Sequence, residues 1–119
     1  LIADDEEPIA EAIGLVIEEG GHTPLLAQNG QHALELARAR WPALLITDWM
    51  MPVLDGLSLI QALRQQAELE GLSPVPSILL TAARRPPLAT AEADAYLAKP
   101  FELDELEALL RQFLDPPGI

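Results

Sequence analysis

The chain has 119 residues, half of them apolar, which suits one domain with a buried core and leaves no room for two. Seven basic residues stand against nineteen acidic ones, and the net charge of −12 argues against nucleic acid and anionic membranes as direct partners. Cysteine is absent, in keeping with a reducing compartment, and no apolar run approaches the roughly 20 residues of a membrane span. We therefore expect a cytoplasmic protein.

The predicted elements alternate between strands and helices along the chain. Apolar runs predict strands at 1–3, 23–27, 44–47, 77–80 and 95–98, and apolar residues at helical spacing predict helices over 8–19, 31–40, 59–67 and 103–113. Pro24 cannot donate to a strand ladder, so the second strand belongs at a sheet edge. This alternation predicts an α/β domain, a doubly wound parallel sheet with helices on both faces.

A polar side chain stands at the end of four of the five strands. Asp4 and Asp5 follow the first strand, Asp48 the third, Thr81 the fourth and Lys99 the fifth. All carboxyl ends of a parallel sheet lie along one edge, which is where ligands bind in open α/β sheets. Lys99 is also the only lysine, all other basic residues being arginine. We therefore expect three carboxylates, a hydroxyl and an ammonium to meet in one cleft.

These groups together suit phosphoryl transfer. Three neighbouring carboxylates repel one another unless a hard cation binds them, and Mg²⁺ or Mn²⁺ fits an oxygen donor set. A carboxylate can act as a nucleophile toward phosphorus. The metal, an ammonium and a hydroxyl then neutralise and position the phosphoryl oxygens.

Four stretches carry a family resemblance. They are the Asp4–Asp5 pair and the sequences DWMMPVLDG at 48–56, LTA at 80–82 and YLAKPF at 96–101. With these motifs in this order, the chain resembles the receiver domain of two-component response regulators. The resemblance implies a flavodoxin-like sheet of five strands in the order 2-1-3-4-5, which also puts the second strand at an edge.

The resemblance implies a role for each residue of the acidic site. Asp48 would be the phosphoacceptor. Asp5 would bind the metal directly, together with Asp48 and the backbone carbonyl of Met50, and Asp4 would bind it through water.

The resemblance also implies a switch. Thr81 would bond a phosphoryl oxygen and move on phosphorylation, Tyr96 would be the coupled aromatic that turns inward, and Lys99 would pair with the phosphoryl group. The peptide bond between Lys99 and Pro100 is expected to be cis. The chain would be a phosphoacceptor and not an enzyme, and its partners would be a sensor histidine kinase or a histidine phosphotransfer protein, followed by an output domain or partner protein.

Simpler interpretations stay open beside these. Asp4 and Asp5 can be helix-start residues, an interpretation that Glu6 and Glu7 favour. Tyr96 can be plain core packing, and the whole chain can be an interaction module that keeps the receiver fold without phosphorylation. A phosphatase of the haloacid dehalogenase type ranks low, because it needs an aspartate where Met50 stands.

One region departs from the family pattern. Between the fourth and fifth strands, the segment 82–94 contains Arg84-Arg85-Pro86-Pro87, and proline is tolerated only in the first turn of a helix. We therefore expect the fourth helix of the pattern to be shortened or irregular. The receiver domain is expected to span 1–114, with 115–119 as the start of a linker.

Overall fold

The computed structural model describes residues 1–82 and 93–114. Five strands and four helices lie in these ranges, in the order β1 (Ile2–Ala3), α1 (Glu7–Glu19), β2 (Leu26–Ala27), α2 (Gly30–Ala39), β3 (Leu45–Asp48), α3 (Gly56–Glu70), β4 (Ser77–Thr81), β5 (Ala95–Ala98) and α4 (Leu103–Leu114). The helix expected between β4 and β5 falls mainly on residues outside this description, as does the linker at 115–119. No helix in the described part of the chain is both long and apolar enough to cross a membrane.

The five strands form one parallel sheet in the order β2-β1-β3-β4-β5, which confirms the predicted topology. β2 lies at an edge, as Pro24 requires, but it is shorter than the predicted 23–27 and pairs with β1 only at Leu26 and Ala27. At the other edge, the carboxylate of Asp94 accepts a hydrogen bond of 2.8 Å from the backbone N–H of Ser77 and so ties the start of β5 to β4.

The core has two layers, one on each face of the sheet. Successive strand residues point to opposite faces, so Leu79 packs toward α2 and α3 whereas its neighbours Ile78 and Leu80 pack toward α1 and α4. All three are fully buried. The continuous apolar runs of the sequence therefore correspond to strands that are covered by helices on both faces, as predicted.

The helix beginnings on the α2 and α3 side carry side-chain caps. Asn29 accepts a hydrogen bond of 2.8 Å from the backbone N–H of His32, and Asp55 accepts one of 2.8 Å from that of Ser58. α3 consequently begins at Gly56, three residues before the apolar positions that predicted it. The cap fixes where the loop after β3 ends, and that loop borders the candidate site.

Candidate functional site

The polar side chains predicted at the strand ends lie together at the carboxyl edge of the sheet. Asp4 and Asp5 follow β1, Asp48 ends β3, Thr81 ends β4 and Lys99 follows β5. All of them except the buried Asp4 line a single cleft. The cleft is lined by Asp5, Glu6, Asp48, Trp49, Met50, Thr81, Ala82 and Lys99. Parallel pairing places strand ends that are up to 95 residues apart in sequence within contact of one another.

Three carboxylates converge in this cleft. One oxygen from each of Asp4, Asp5 and Asp48 lies within 4.8 Å of the others. Asp4 is buried, Asp5 is exposed, and the side chain of Asp48 is 13% exposed. The donors are all carboxylate oxygens, which suits Mg²⁺ or Mn²⁺, and a graded exposure leaves one side of the group open to an incoming ligand.

Lys99 is the cation of the site. Its Nζ lies 3.0 Å from Asp4 Oδ2, 3.2 Å from Glu6 Oε2 and 3.5 Å from Asp48 Oδ1. Its backbone N–H donates a 2.8 Å hydrogen bond to the carbonyl of Thr81, which fixes the end of β5 against that of β4. The peptide bond to Pro100 is cis, as predicted.

Asp4 combines two interpretations that were alternatives in the sequence. Its Oδ1 accepts a hydrogen bond of 2.9 Å from the backbone N–H of Glu6 at the start of α1, and its Oδ2 pairs with Lys99. A carboxylate has two oxygens and about four acceptor sites, so it can support the helix start and face the cleft together. Asp4 is not the N-cap of α1, which is Glu6, but its bond to Glu6 and its pair with Lys99 exist side by side.

The cleft shifts the ionisation of two of its groups. Burial raises the pKa of Asp48, and the nearby charges of Asp4 and Asp5 act in the same direction, while Lys99 opposes them without reversing the shift. Burial opposes the charge of Lys99, but its hydrogen bond to Asp4 and the charges of Asp4 and Asp48 outweigh burial and raise its pKa. The carboxylates of the cleft thus outnumber the one ammonium, that of Lys99, which pairs with them.

We expect Asp48→Asn to stabilise the metal-free protein at neutral pH. A raised pKa means that the folded state binds the proton of Asp48 more tightly than the unfolded state does, so ionised Asp48 lowers stability. That loss develops as the pH rises from the ordinary value of 3.8 through the folded-state pKa, and it is complete above it. Urea unfolding at pH 7 and at pH 3.5, in the presence of a chelator, measures the difference.

The stabilisation by Asp48→Asn should be present at pH 7 and should largely disappear at pH 3.5, which is below the pKa of Asp48 in both states. Glu11→Gln is the control, because it removes an exposed carboxylate from α1. A destabilised Asp48→Asn protein at pH 7 would contradict this account of the cleft.

The loop between β3 and α3 carries the remaining cleft residues. Met50 is exposed, and Trp49 is partly buried. The backbone N–H of Gly56 donates to the carbonyl of Trp49 at 2.8 Å and closes the loop. Within it, Val53 has a φ of 74°, in the left-handed region that a β-branched residue rarely adopts.

We expect Val53→Gly to stabilise the protein by about 1 kcal/mol. Glycine adopts this φ without steric cost, and the Val53 side chain is 80% exposed, so little packing is lost. Val75→Gly, at a buried position with no such φ, should destabilise instead. Thermal unfolding of both variants checks the opposite signs, and a destabilised Val53→Gly protein would show that the backbone here is not strained.

Thr81 and Tyr96 stand on neighbouring strands. Thr81 is buried at the mouth of the cleft. Tyr96 is partly buried, pairs in register with Leu79 and packs against the α2 and α3 side of the core. This position is compatible with plain packing and with a switch, so the switch stays a prediction.

Glu6 is the site residue whose role the sequence did not predict. In the sequence Glu6 has the pattern of a helix-start residue. In the structure its carboxylate makes no capping hydrogen bond and pairs with Lys99 instead. Its place directly after the acidic pair was the available signal. The partner 93 residues away becomes visible only in the folded chain.

Comparisons with known proteins agree with this geometry. Residues 1–111 match the family model described as the response regulator receiver domain. The chain is 37% identical over 119 residues to the response regulator Rre1 of Synechocystis, covering 96% of this chain and 50% of that protein. The chain therefore spans about half the length of the curated relatives it matches.

Two solved structures are informative. The response regulator TrrA of Thermotoga maritima, in complex with Mg²⁺-BeF, has a TM-score of 0.81 and 31% identity, covering 95% of this chain and 96% of that one. The receiver domain of Ssk1 from Saccharomyces cerevisiae, in a co-crystal with the histidine phosphotransfer protein Ypd1, has a TM-score of 0.83 and 25% identity, covering 94% and 85%.

Proposed function

This chain belongs to the response regulator receiver domain family, and on that premise we propose that Asp48 accepts a phosphoryl group with the help of Mg²⁺. Receiver domains are signalling phosphoacceptors and not catalytic enzymes. The observation that carries the proposal is the position of Asp48, beside two further carboxylates and 3.5 Å from the only lysine. A carboxylate with an ammonium on one side, and with two further carboxylates that can help it hold a metal ion on the other, is suited to accepting a phosphoryl group.

The proposed metal ligands are Asp5, Asp48 and the backbone carbonyl of Met50, with Asp4 acting through water. Asp5 is exposed and Asp4 buried, which favours direct binding by the former. When bound, the ion would neutralise the carboxylates and the incoming phosphoryl oxygens. The complex of TrrA with Mg²⁺-BeF supports this assignment.

The proposed reaction is an in-line displacement at phosphorus. A carboxylate oxygen of Asp48 forms the new bond to phosphorus, and the bond from phosphorus to the nitrogen of a partner's phosphohistidine breaks, with its electron pair left on that nitrogen. Lys99 pairs with one phosphoryl oxygen, and the hydroxyl of Thr81 donates to another. Asp48 must be ionised to attack, a state that Lys99 favours by lowering the pKa that burial raises.

The proposed consequence is a two-state switch. Thr81 would move toward the phosphoryl group, and Tyr96 would turn inward beside it. Phosphorylation would thus favour the conformation in which both side chains have rearranged. A histidine kinase or a phosphotransfer protein would be the donor, as the Ssk1 complex with Ypd1 illustrates for a relative. An output domain or partner protein would detect the switch. The phosphoryl transfer would take place in the cytoplasm.

The test is the mass of the intact protein after incubation with Mg²⁺ and acetyl phosphate. We expect the gain of one phosphoryl group, lost with a chelator and lost in Asp48→Asn. Failure of the wild-type chain to gain the group, or a gain retained in Asp48→Asn, would overturn the proposal. Mg²⁺ binding is followed separately by the fluorescence of Trp49, in a Trp41→Phe background that removes the second indole.

A further inference from the structure

Glu6 has an unusual environment for a residue that starts a helix. It is the N-cap of α1, yet its side chain makes no capping hydrogen bond. Its Oε2 lies instead 3.2 Å from Lys99 Nζ, although the carboxylate is 57% exposed and has water available. The carboxylate is therefore drawn across the mouth of the cleft toward the ammonium.

The distances around Lys99 show how its charge is divided. Asp4 at 3.0 Å and Glu6 at 3.2 Å are within hydrogen-bond reach, whereas Asp48 at 3.5 Å is the most distant of the three carboxylates. Asp4 and Glu6 both follow β1, so the two shorter contacts hold the ammonium on the β1 side of the cleft. Asp48 therefore shares with Asp4 and Glu6 the cation that its phosphorylated form needs.

We propose that Glu6 is a positioning residue that competes with the phosphoryl group for Lys99 and so restrains phosphorylation of Asp48. The inference rests on the proposed function of this site. In the unphosphorylated state Glu6 and Asp4 share the ammonium. An incoming phosphoryl group has to draw Lys99 away from Glu6, and it also approaches against the negative charge of Glu6 itself.

The charge of Glu6 has opposite effects on the two ligands of the cleft. It attracts a divalent cation to the triad and repels a phosphoryl anion. Removing the charge should therefore weaken Mg²⁺ binding while it speeds phosphorylation at saturating Mg²⁺. A residue that only supported the fold would change both in the same direction, because a loosened cleft binds and reacts less well.

The experiment compares Glu6→Gln with Glu7→Gln. Both replace a carboxylate by its neutral isostere at adjacent exposed positions, and only Glu6 is among the carboxylates that pair with Lys99 in the described ranges. The Mg²⁺ dissociation constant is measured from Trp49 fluorescence in the Trp41→Phe background. The initial rate with subsaturating acetyl phosphate is measured by intact mass at saturating Mg²⁺, at low and at high salt.

For Glu6→Gln we expect an approximately threefold weaker affinity for Mg²⁺ and an approximately threefold faster phosphorylation, the size of effect that a half-exposed ion pair supports. Both effects should shrink in high salt, because ions screen exposed charges. Glu7→Gln should change either quantity by less than half as much. Equal effects of the two variants, a slower reaction in Glu6→Gln, or changes that are independent of salt would overturn the role of Glu6.

The two proposals fail in different ways. If the wild-type chain gains no phosphoryl group, the proposed function is wrong. If it gains one and Glu6→Gln matches the wild type in rate, the proposed function stands and the competition for Lys99 is wrong.

Discussion

Lys99→Met will lower the rate of phosphorylation of Asp48 about a hundredfold and destabilise the metal-free protein by about 3 kcal/mol. The rate falls because Lys99, the only lysine of the chain, is the cation that lies beside Asp48 and can pair with the phosphoryl oxygens. Stability falls because the Asp4 side chain is wholly buried and loses its cation, which leaves an unpaired charge out of water. Intact mass measures the rate, and urea unfolding at pH 7 in the presence of a chelator measures the stability.

The pH dependence of this loss has a defined sign. The pKa of Lys99 is raised in the folded state, so the stability it contributes is fully present below its ordinary value of 10.5 and is lost as the pH rises through the folded-state value. The stability difference between wild type and Lys99→Met should therefore shrink above pH 10.5.

Two further variants separate charge pairing from packing. Adding Asp4→Asn to Lys99→Met should recover part of the lost stability, because the uncompensated charge disappears together with its partner. Arg111→Met removes a cation whose i,i+4 pair with Glu107 is exposed, and it should change stability by less than about 0.5 kcal/mol. If Lys99→Met were as mild as Arg111→Met, the buried pair with Asp4 would not be a stabilising contact.

Gly56→Ala will destabilise the protein by about 3 kcal/mol and reduce phosphorylation with it. A Cβ on Gly56 would overlap the backbone carbonyl oxygen of Asp48 and would lie only 3.1 Å from Leu79 Cδ1. Neither the backbone of β3 nor a fully buried leucine can yield easily. The end of β3 that presents Asp48, the proposed phosphoacceptor, would have to move, so unfolding and phosphorylation should both report the change.

Gly14→Ala is the matched control for this substitution. Gly14 lies within α1, and a Cβ there meets Leu26 and Pro24 at ordinary contact distances of 3.5 and 3.7 Å. Alanine should therefore stabilise the protein by up to about 1 kcal/mol through its higher helix propensity. Opposite signs for the same chemical change would show that glycine is needed at position 56 for space. A neutral Gly56→Ala would contradict the close approach of the loop to β3.

The pattern of the sequence predicted a doubly wound parallel sheet with polar side chains at its strand ends, and the family resemblance supplied the order of the strands. Continuous apolar runs identified the strands, and a parallel sheet places every strand end along one edge. The strand order that the resemblance implied then made the ends of β3, β4 and β5, with Asp48, Thr81 and Lys99, neighbours. The predicted helix and strand boundaries were less accurate, because the cap that starts α3 at Gly56 and the two-residue length of β2 depend on hydrogen bonds that no periodicity reports. The same sequence placed the irregular fourth helix on residues the structure does not describe, and that prediction stands untested.

The sequence therefore determined which strand-end side chains lie together. Only the tertiary structure decided how these side chains share charge and space. Asp4 divides its oxygens between the start of α1 and Lys99, and Glu6 takes part of the same cation. The raised pKa of Asp48 and the space required at Gly56 likewise follow from contacts between distant segments. The parallel sheet follows from the alternation of strands and helices along the chain, whereas distances of about 3 Å and the extent of burial arise only when the packed layers fix each side chain against the others.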